Sequence, residues 1–388
     1  MDQNFNSMNK NPNGVKKTLI ITSDFPPKIS GLSSYISNFA KHLPSEKVII
    51  LAPKQKDTEV FDKECKYKVI RKKLHSYLLP NSIKLLFLIL WIRKKEKIEQ
   101  IHIHHTGLFG WTVFVVNKIF KIPYFIFFHG VDLELLTSKK TKRLKLKRIL
   151  KNTQTVVVNS EFSKNKLIEK MENVDDKKIK VVYSSPADFF LDKVEERVIE
   201  KLRAKLALRG KKVILTVGNM NEGKGYPHMI RVLPKILKKV PNLVWVIIGE
   251  GKKEKLIVEM VQKNSLQNVV RFLGQVDYQE LPKYYQLADL FVLLTHEDED
   301  QEGGWGTVFL EAGASSVPVV AGKVGGVNEA VSHLITGILV NPYEDMQVIS
   351  AISELLLKSD YAKEMGEKAK TRVENIFTWE KQISKLGL

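Results

Sequence analysis

Short, continuously apolar runs rich in β-branched residues recur along the chain, separated by longer stretches with helical spacing. In the first half they are Thr18–Thr22, Val48–Leu51, Tyr67–Ile70, Ile101–Ile103, Tyr124–Phe128, Thr155–Val158 and Lys180–Val182. In the second half they are Val213–Val217, Leu243–Ile248, Val269–Phe272, Leu290–Leu294, Val317–Val320 and Gly337–Val340. Runs without polar alternation mark strands buried on both faces. Helical stretches between them make parallel βαβ units. The pattern therefore predicts an α/β chain with two Rossmann-like domains facing across a cleft. A polar stretch at about 188–211 separates the two series. The expected organisation is a disordered leader over 1–16, an acceptor-side domain over 17–190 and a nucleotide-sugar-binding domain over 191–372. A C-terminal helix over 373–388, with Trp379 in it, is expected to pack back on the first domain.

Composition narrows this picture. An apolar fraction of 44% in 388 residues excludes wholesale disorder, and the single cysteine, Cys65, excludes an internal disulfide framework and a cysteine-cluster metal site. The polar, Asn-rich N-terminus has no apolar core of a secretory signal. Charge is uneven: residues 1–190 carry 35 Lys and Arg against 17 Asp and Glu, whereas the remainder is almost balanced. An excess confined to one domain points to an anionic surface, either nucleic acid or the cytoplasmic leaflet. The most apolar window, Ile83–Ile92, is about half the ~20 residues of a spanning helix. It reads either as a buried core helix or as an interfacial helix with basic flanks. Lys139–Lys151 holds eight basic residues, with Leu144, Leu146, Ile149 and Leu150 spaced as one apolar stripe. Its basic positions fit a solvated face equally well.

Ligands of such folds bind at the C-terminal ends of strands, so the loops there carry the chemistry. Gly31 opens a helix after the first strand, where free backbone amides can meet an anion. His129 ends the run Tyr124–Phe128 and can hydrogen-bond a hydroxyl, although a purely structural histidine fits as well. Lys224, between Gly223 and Gly225, adds a point charge at another helix start, without the spacing of a Walker loop. The richest stretch is Glu302–Val331. Its loop Gly303, Gly304, Trp305 and Gly306 leads into a helix near Thr307 and Val308 that carries Glu311. Amides there can take a diphosphate and the carboxylate can take vicinal hydroxyls.

Residues 302–331 resemble the signature of retaining glycosyltransferases of family 4, which have the two-domain GT-B fold. The likeness extends over 17–388 through FPPKISGLSSY, FFHG, NSEFSK, GKG, IGEG, RFLG and YYQLAD. FPPKISG, YKVIR and QVDYQEL are most similar to the phosphatidylinositol mannosyltransferase branch. The resemblance implies transfer of a hexose, mannose favoured, from a nucleoside-diphosphate sugar, GDP-mannose favoured. The acceptor would be lipid-linked or a glycan at the inner membrane face, and the enzyme cytoplasmic and peripherally bound to an anionic membrane surface. It implies no obligate cofactor and no metal.

By the same resemblance, Glu311 holds the ribose, Lys224 the diphosphate and His129 the 6-hydroxyl side of the donor sugar, while the Gly31 amide meets phosphate. His129, Glu302 and Lys224 are the expected catalytic residues. Gly31, Asn219, Lys224, Gly304, Trp305, Gly306, Thr307, Val308 and Glu311 are the expected donor-binding residues. The family's sugar-contacting Glu lies eight positions before its second Glu, which here is Gly303; Glu302 stands nine before. Asn219 replaces a second diphosphate-binding Arg, Ser30 replaces a glycine, and Ser184–Asp188 replaces the usual Pro-x-Gly-Val-Asp. Asp298 and Asp300 read as a solvated acidic loop. The leaving diphosphate would be neutralised by amides and Lys224, and would take the proton of an acceptor attacking the same face. Domain closure would complete the site. Three function classes follow: a lipid-facing glycosyltransferase, a soluble glycosyltransferase or degenerate sugar-nucleotide binder, and a nucleic-acid-binding protein. No nucleic acid is expected as partner, because aromatics do not interleave with the basic runs.

Overall fold

The computed structural model describes residues 14–74, 81–171, 174–297 and 306–388. Most of the expected leader, and Asp298, Asp300, Glu302, Gly303, Gly304 and Trp305, lie outside the described residues. Every predicted apolar run is a strand, with ends shifted by up to two residues. They are β1 (Thr18–Ile21), β2 (Val48–Pro53), β3 (Lys68–Lys72), β4 (Gln100–Ile103), β5 (Tyr124–Phe128), β6 (Thr155–Val158) and β7 (Ile179–Val181). There follow β8 (Lys212–Val217), β9 (Leu243–Ile248), β10 (Val270–Phe272), β11 (Leu290–Leu293), β12 (Val319–Gly322) and β13 (Gly337–Val340).

Two parallel sheets form, in the orders β3-β2-β1-β4-β5-β6-β7 and β10-β9-β8-β11-β12-β13. Central strands are buried throughout, which is why their sequences are continuously apolar. β1 lies between β2 and β4, with Leu19 opposite Ile49 on one side and Ile101 on the other. In each sheet the order reverses beside the first strand, between β1 and β4 and between β8 and β11. Loops leaving such neighbours diverge and open a crevice at the C-terminal edge.

One compact unit contains the first sheet, with the described residues up to Val158, Leu167–Val182 and Ile383–Leu388; the other contains Asn159–Lys166 and Tyr183–Gln382. The chain thus leaves the first unit after Val182, earlier than the expected boundary at 190. The reason is packing: Phe190 is fully buried in the second core, with its ring 5.7 Å from that of Tyr285 and 5.3 Å from that of Tyr278. In the same unit both carboxylate oxygens of Glu329 accept from the amides of Glu161 and Phe162, at 2.8 and 2.9 Å, capping the helix Glu161–Lys170.

The window Ile83–Ile92 lies within the helix Asn81–Glu96 and is buried only in part. Leu85, Ile89 and Ile92 enter the core of the first sheet, whereas Ile83, Phe87 and Trp91 are exposed by 42%, 64% and 47%. The basic stretch is the helix Lys140–Asn152, which buries Leu146, Ile149 and Leu150 on the same face of the sheet. Leu144, expected on that stripe, is exposed instead, since it lies off the arc shared by the other three. No helix among the described residues is long and apolar enough to cross a membrane.

Candidate functional site

In the first unit the β1–β4 switch point gathers a helix start and three histidines. Ser30 caps the helix Gly31–Lys41: its Oγ accepts from the Ser33 amide at 3.0 Å and donates to Asp24 Oδ2 at 2.9 Å. The amides of Gly31 and Leu32 have no helical acceptor, and the space where a Gly31 Cβ would point is open. His104 and His105 follow β4, and His129 follows β5. His104 Nδ1 lies 3.2 Å from His129 Nε2, with the rings stacked at 15°. The Ser23 amide donates to His105 Nδ1 at 3.3 Å. Burial pushes His129 down to about 3 and His105 to about 4, so both rings are neutral at physiological pH. His104 moves in the same direction for the same reason.

In the second unit the β8–β11 switch point carries the lysine loop. Gly225 caps the helix Tyr226–Lys239 in the left-handed region, φ 74°, and a Cβ there would lie 2.0 Å from the Leu294 carbonyl oxygen. Only glycine permits that approach of the loop to the end of β11. The Gly223 carbonyl accepts from the His296 amide at 3.1 Å, a second tie between the two loops. Lys224, held between these fixed points, is largely desolvated. Burial pulls its ammonium below the usual lysine range. A cation in that state stabilises an arriving anion far more than a solvated one does. Asn219 sits exposed on the same loop.

The helix Thr307–Ala314 begins at Gly306, φ 69°, where a Cβ would lie 2.6 Å from the Phe309 ring. The first-turn amides of Thr307 and Val308 have no helical acceptor. The Thr307 hydroxyl is engaged by Ser184 Oγ at 2.7 Å. Glu311 is buried one turn further on. Tyr285 Oη donates to its Oε2 at 2.9 Å and Tyr278 Oη to its Oε1 at 3.1 Å. Burial raises the carboxyl to about 7 against the pull of the two hydroxyls. Each oxygen keeps a second lone pair for a further donor such as a ribose hydroxyl.

The structure thus brings Gly31 and His129 to one switch point, and Asn219 and Lys224 to the other. Gly306, Thr307, Val308 and Glu311 sit at the start of the helix after β11. Glu302, Gly304 and Trp305 fall outside the described residues. Sequence reasoning missed His104, although the alternation Ile101-His102-Ile103-His104 placed both histidines on one face of a strand end. It missed Tyr278 and Tyr285 as partners of Glu311, because nothing local links residues 26 and 33 positions apart. Among the described residues no group of three or more His, Cys, Asp or Glu is arranged to hold a metal ion.

Two parallel Rossmann-like sheets, each reversing its strand order beside its first strand, are the architecture of the GT-B class of glycosyltransferases. The chain belongs to that class: residues 29–185 match the Glycosyltransferase Family 4 domain and residues 198–372 match Glycosyl transferases group 1. It is 25% identical over 390 residues, 96% of this chain and 97% of the relative, to a GDP-mannose-dependent alpha-(1-6)-phosphatidylinositol monomannoside mannosyltransferase of Mycobacterium tuberculosis. It is also 25% identical over 398 residues, 94% and 95% of the two chains, to a GDP-mannose-dependent monoacylated alpha-(1-6)-phosphatidylinositol monomannoside mannosyltransferase of Corynebacterium glutamicum. Among solved structures, Anabaena Alr3699/HepE in complex with UDP-glucose superposes with a TM-score of 0.80 at 20% identity, covering 96% of this chain and 99% of that one. The sucrose-phosphate synthase of Thermosynechococcus elongatus gives the same score and identity, covering 96% and 98%.

Proposed function

We propose that this glycosyltransferase moves a hexose with retention, mannose favoured, from a nucleoside-diphosphate sugar to a lipid-linked or glycan acceptor at the cytoplasmic membrane face. The carrying observation is Lys224: a desolvated ammonium held at a switch point beside Gly225. Such a group is stabilised by an anion, and a leaving diphosphate is the anion this reaction generates. Thr307 and Val308 amides add donors, and Glu311 accepts from the ribose. The acceptor hydroxyl attacks the face from which the diphosphate departs, through an oxocarbenium-like state. The departing phosphate oxygen takes its proton. GDP-mannose is favoured because the full-length relatives are named for it; one structural neighbour is bound to UDP-glucose. The test is a thermal-shift panel of GDP, UDP and ADP with their sugar conjugates, followed by transfer assays. Lys224→Ala should weaken diphosphate binding about ten- to hundredfold; equal affinity in variant and parent would sink the role.

Membrane association rests on the first unit. Ile83, Phe87 and Trp91 stand on successive turns of one exposed helix face. Lys95 and Lys72 place their ammonium groups 5.0 and 5.8 Å from the Trp91 ring, and Lys145 lies 5.8 Å from that of Trp111. Apolar rings flanked by cations suit an anionic headgroup layer. The alternative, a soluble glycosyltransferase or degenerate sugar-nucleotide binder, is favoured by Asn219, which leaves the diphosphate with one cation fewer, and by Gly303, which stands where the family has its sugar-contacting Glu.

A further inference from the structure

A lysine between two left-handed glycines has little rigidity of its own. Gly223 and Gly225 have φ of 71° and 74°, a region that glycine enters at no steric cost and leaves as easily. The four-carbon stem of Lys224 adds rotamer freedom to that of the backbone. Such a loop meets an anion well only if something outside it has already fixed its shape, because binding otherwise has to order it. His296, three residues past the end of β11, touches the loop on both sides of the lysine. Its amide donates to the Gly223 carbonyl at 3.1 Å, before Lys224. Its ring meets that of His228, in the first turn of the helix after Lys224, edge to face with centroids 4.7 Å apart. Its Nδ1 lies 3.3 Å from the Leu294 carbonyl oxygen, the atom that a Cβ on Gly225 would strike. That oxygen can only accept, so Nδ1 carries the proton. We propose that His296 is a positioning residue that braces the lysine loop, fixing Lys224 in place before a ligand arrives.

The brace is itself held. Tyr343, in the segment after β13, closes on both histidines, with its ring centroid 4.7 Å from that of His228 and 5.6 Å from that of His296. His228 is buried, so the His296 ring leans on a fixed wall. The Tyr226 hydroxyl donates to the Gly218 carbonyl at 2.9 Å and ties the same helix start to the end of β8. The ends of β8, β11 and β13 thus meet around the loop. A lysine held in this way needs no rearrangement to meet a phosphate, so its charge counts in full. Asn219 brings no charge to the same loop, which leaves more to the placement of Lys224. The value of that placement to a diphosphate rests on the reading of Lys224 given above; the brace does not.

The experiment pairs NMR relaxation of the full chain with a double-mutant cycle. In the parent, the backbone amides of Lys224 and Gly225 should have order parameters of about 0.85, as in rigid backbone. His296→Ala removes the ring and its N–H and should lower them below about 0.6, while the turn at Gly210 stays unchanged. His296→Asn offers an N–H near the former Nδ1 and should recover part of the loss. Affinity is read by calorimetry with whichever of GDP, UDP and ADP stabilises the parent most. His296→Ala should weaken it about three- to tenfold, the value of one hydrogen bond, and should add nothing in a Lys224→Ala background. Loop order that ignores His296→Ala, or an equal loss of affinity with and without the lysine, overturns the proposal. If Lys224→Ala leaves affinity unchanged while the loop loosens as stated, the diphosphate reading of Lys224 fails and the brace stands.

Discussion

Glu311 ties the stability of the free protein to pH in a direction opposite to that of most carboxylates. Its side chain is buried beneath Tyr278 and Tyr285, and its carboxyl is raised to about 7 from an ordinary 4.5. The unfolded chain releases this proton near 4.5, whereas the native chain keeps it until about 7. Between those values the native state holds more protons, so its stability falls as pH rises. The contribution is complete below the lower value and gone above the upper one. Each unit of pH in that window costs about 1.4 kcal/mol, so going from pH 5 to pH 8 removes about 2–3 kcal/mol. Glu311→Gln cannot ionise, and its amide still meets both hydroxyls, accepting from one and donating to the other. The variant should therefore lose this part of the decline and be the more stable protein at pH 8. Urea denaturation of parent and variant at both pH values measures the difference directly. Parallel pH profiles, with no narrowing in Glu311→Gln, would refute the assignment of a raised carboxyl to this residue. A second readout follows from the ribose role: a nucleoside diphosphate that favours the charged carboxylate should bind more tightly as pH rises through 7, and should do so only in the parent.

Gly225→Ala should destabilise the second unit by about 3 kcal/mol and abolish nucleotide-dependent stabilisation, because its Cβ would overlap the Leu294 carbonyl oxygen. Gly210→Ala is the control: it shares a positive φ of 69° but meets nothing within 4 Å, so it should cost only about 1 kcal/mol by the same denaturation assay. Phe87→Ser and Trp91→Ser should each weaken sedimentation with anionic liposomes by about tenfold without changing the melting temperature, since both rings are exposed. Binding by the parent that ignores lipid charge or salt would reject the electrostatic half of that reading.

The strands were legible because a strand covered by helices on both faces must be apolar at every position, and TLII, YFIFF and LVWVII satisfy that without reference to anything distant. The glycines of the lysine loop were legible as helix starts, but the reason Gly225 is required, a carbonyl at the end of β11 almost seventy positions away, is not a property of the local sequence. The helix Asn81–Glu96 exposes the opposite weakness. Its apolar residues lie all round, so periodicity could not divide Leu85, Ile89 and Ile92, which enter the core, from Ile83, Phe87 and Trp91, which do not. Only the sheet beneath it makes that choice. The side chains of the candidate site divide the same way. Lys224 and His129 stand out because they interrupt a strand–loop–helix pattern at its chemically active end. The partners that set their properties, or those of Glu311, arrive from other strands and helices: His104 from β4, and Tyr278 and Tyr285 from the segment between β10 and β11. What a residue is can be read along the chain. Its protonation state and the hydrogen bonds it makes depend on neighbours supplied by the topology, as Tyr278 and Tyr285 show for Glu311.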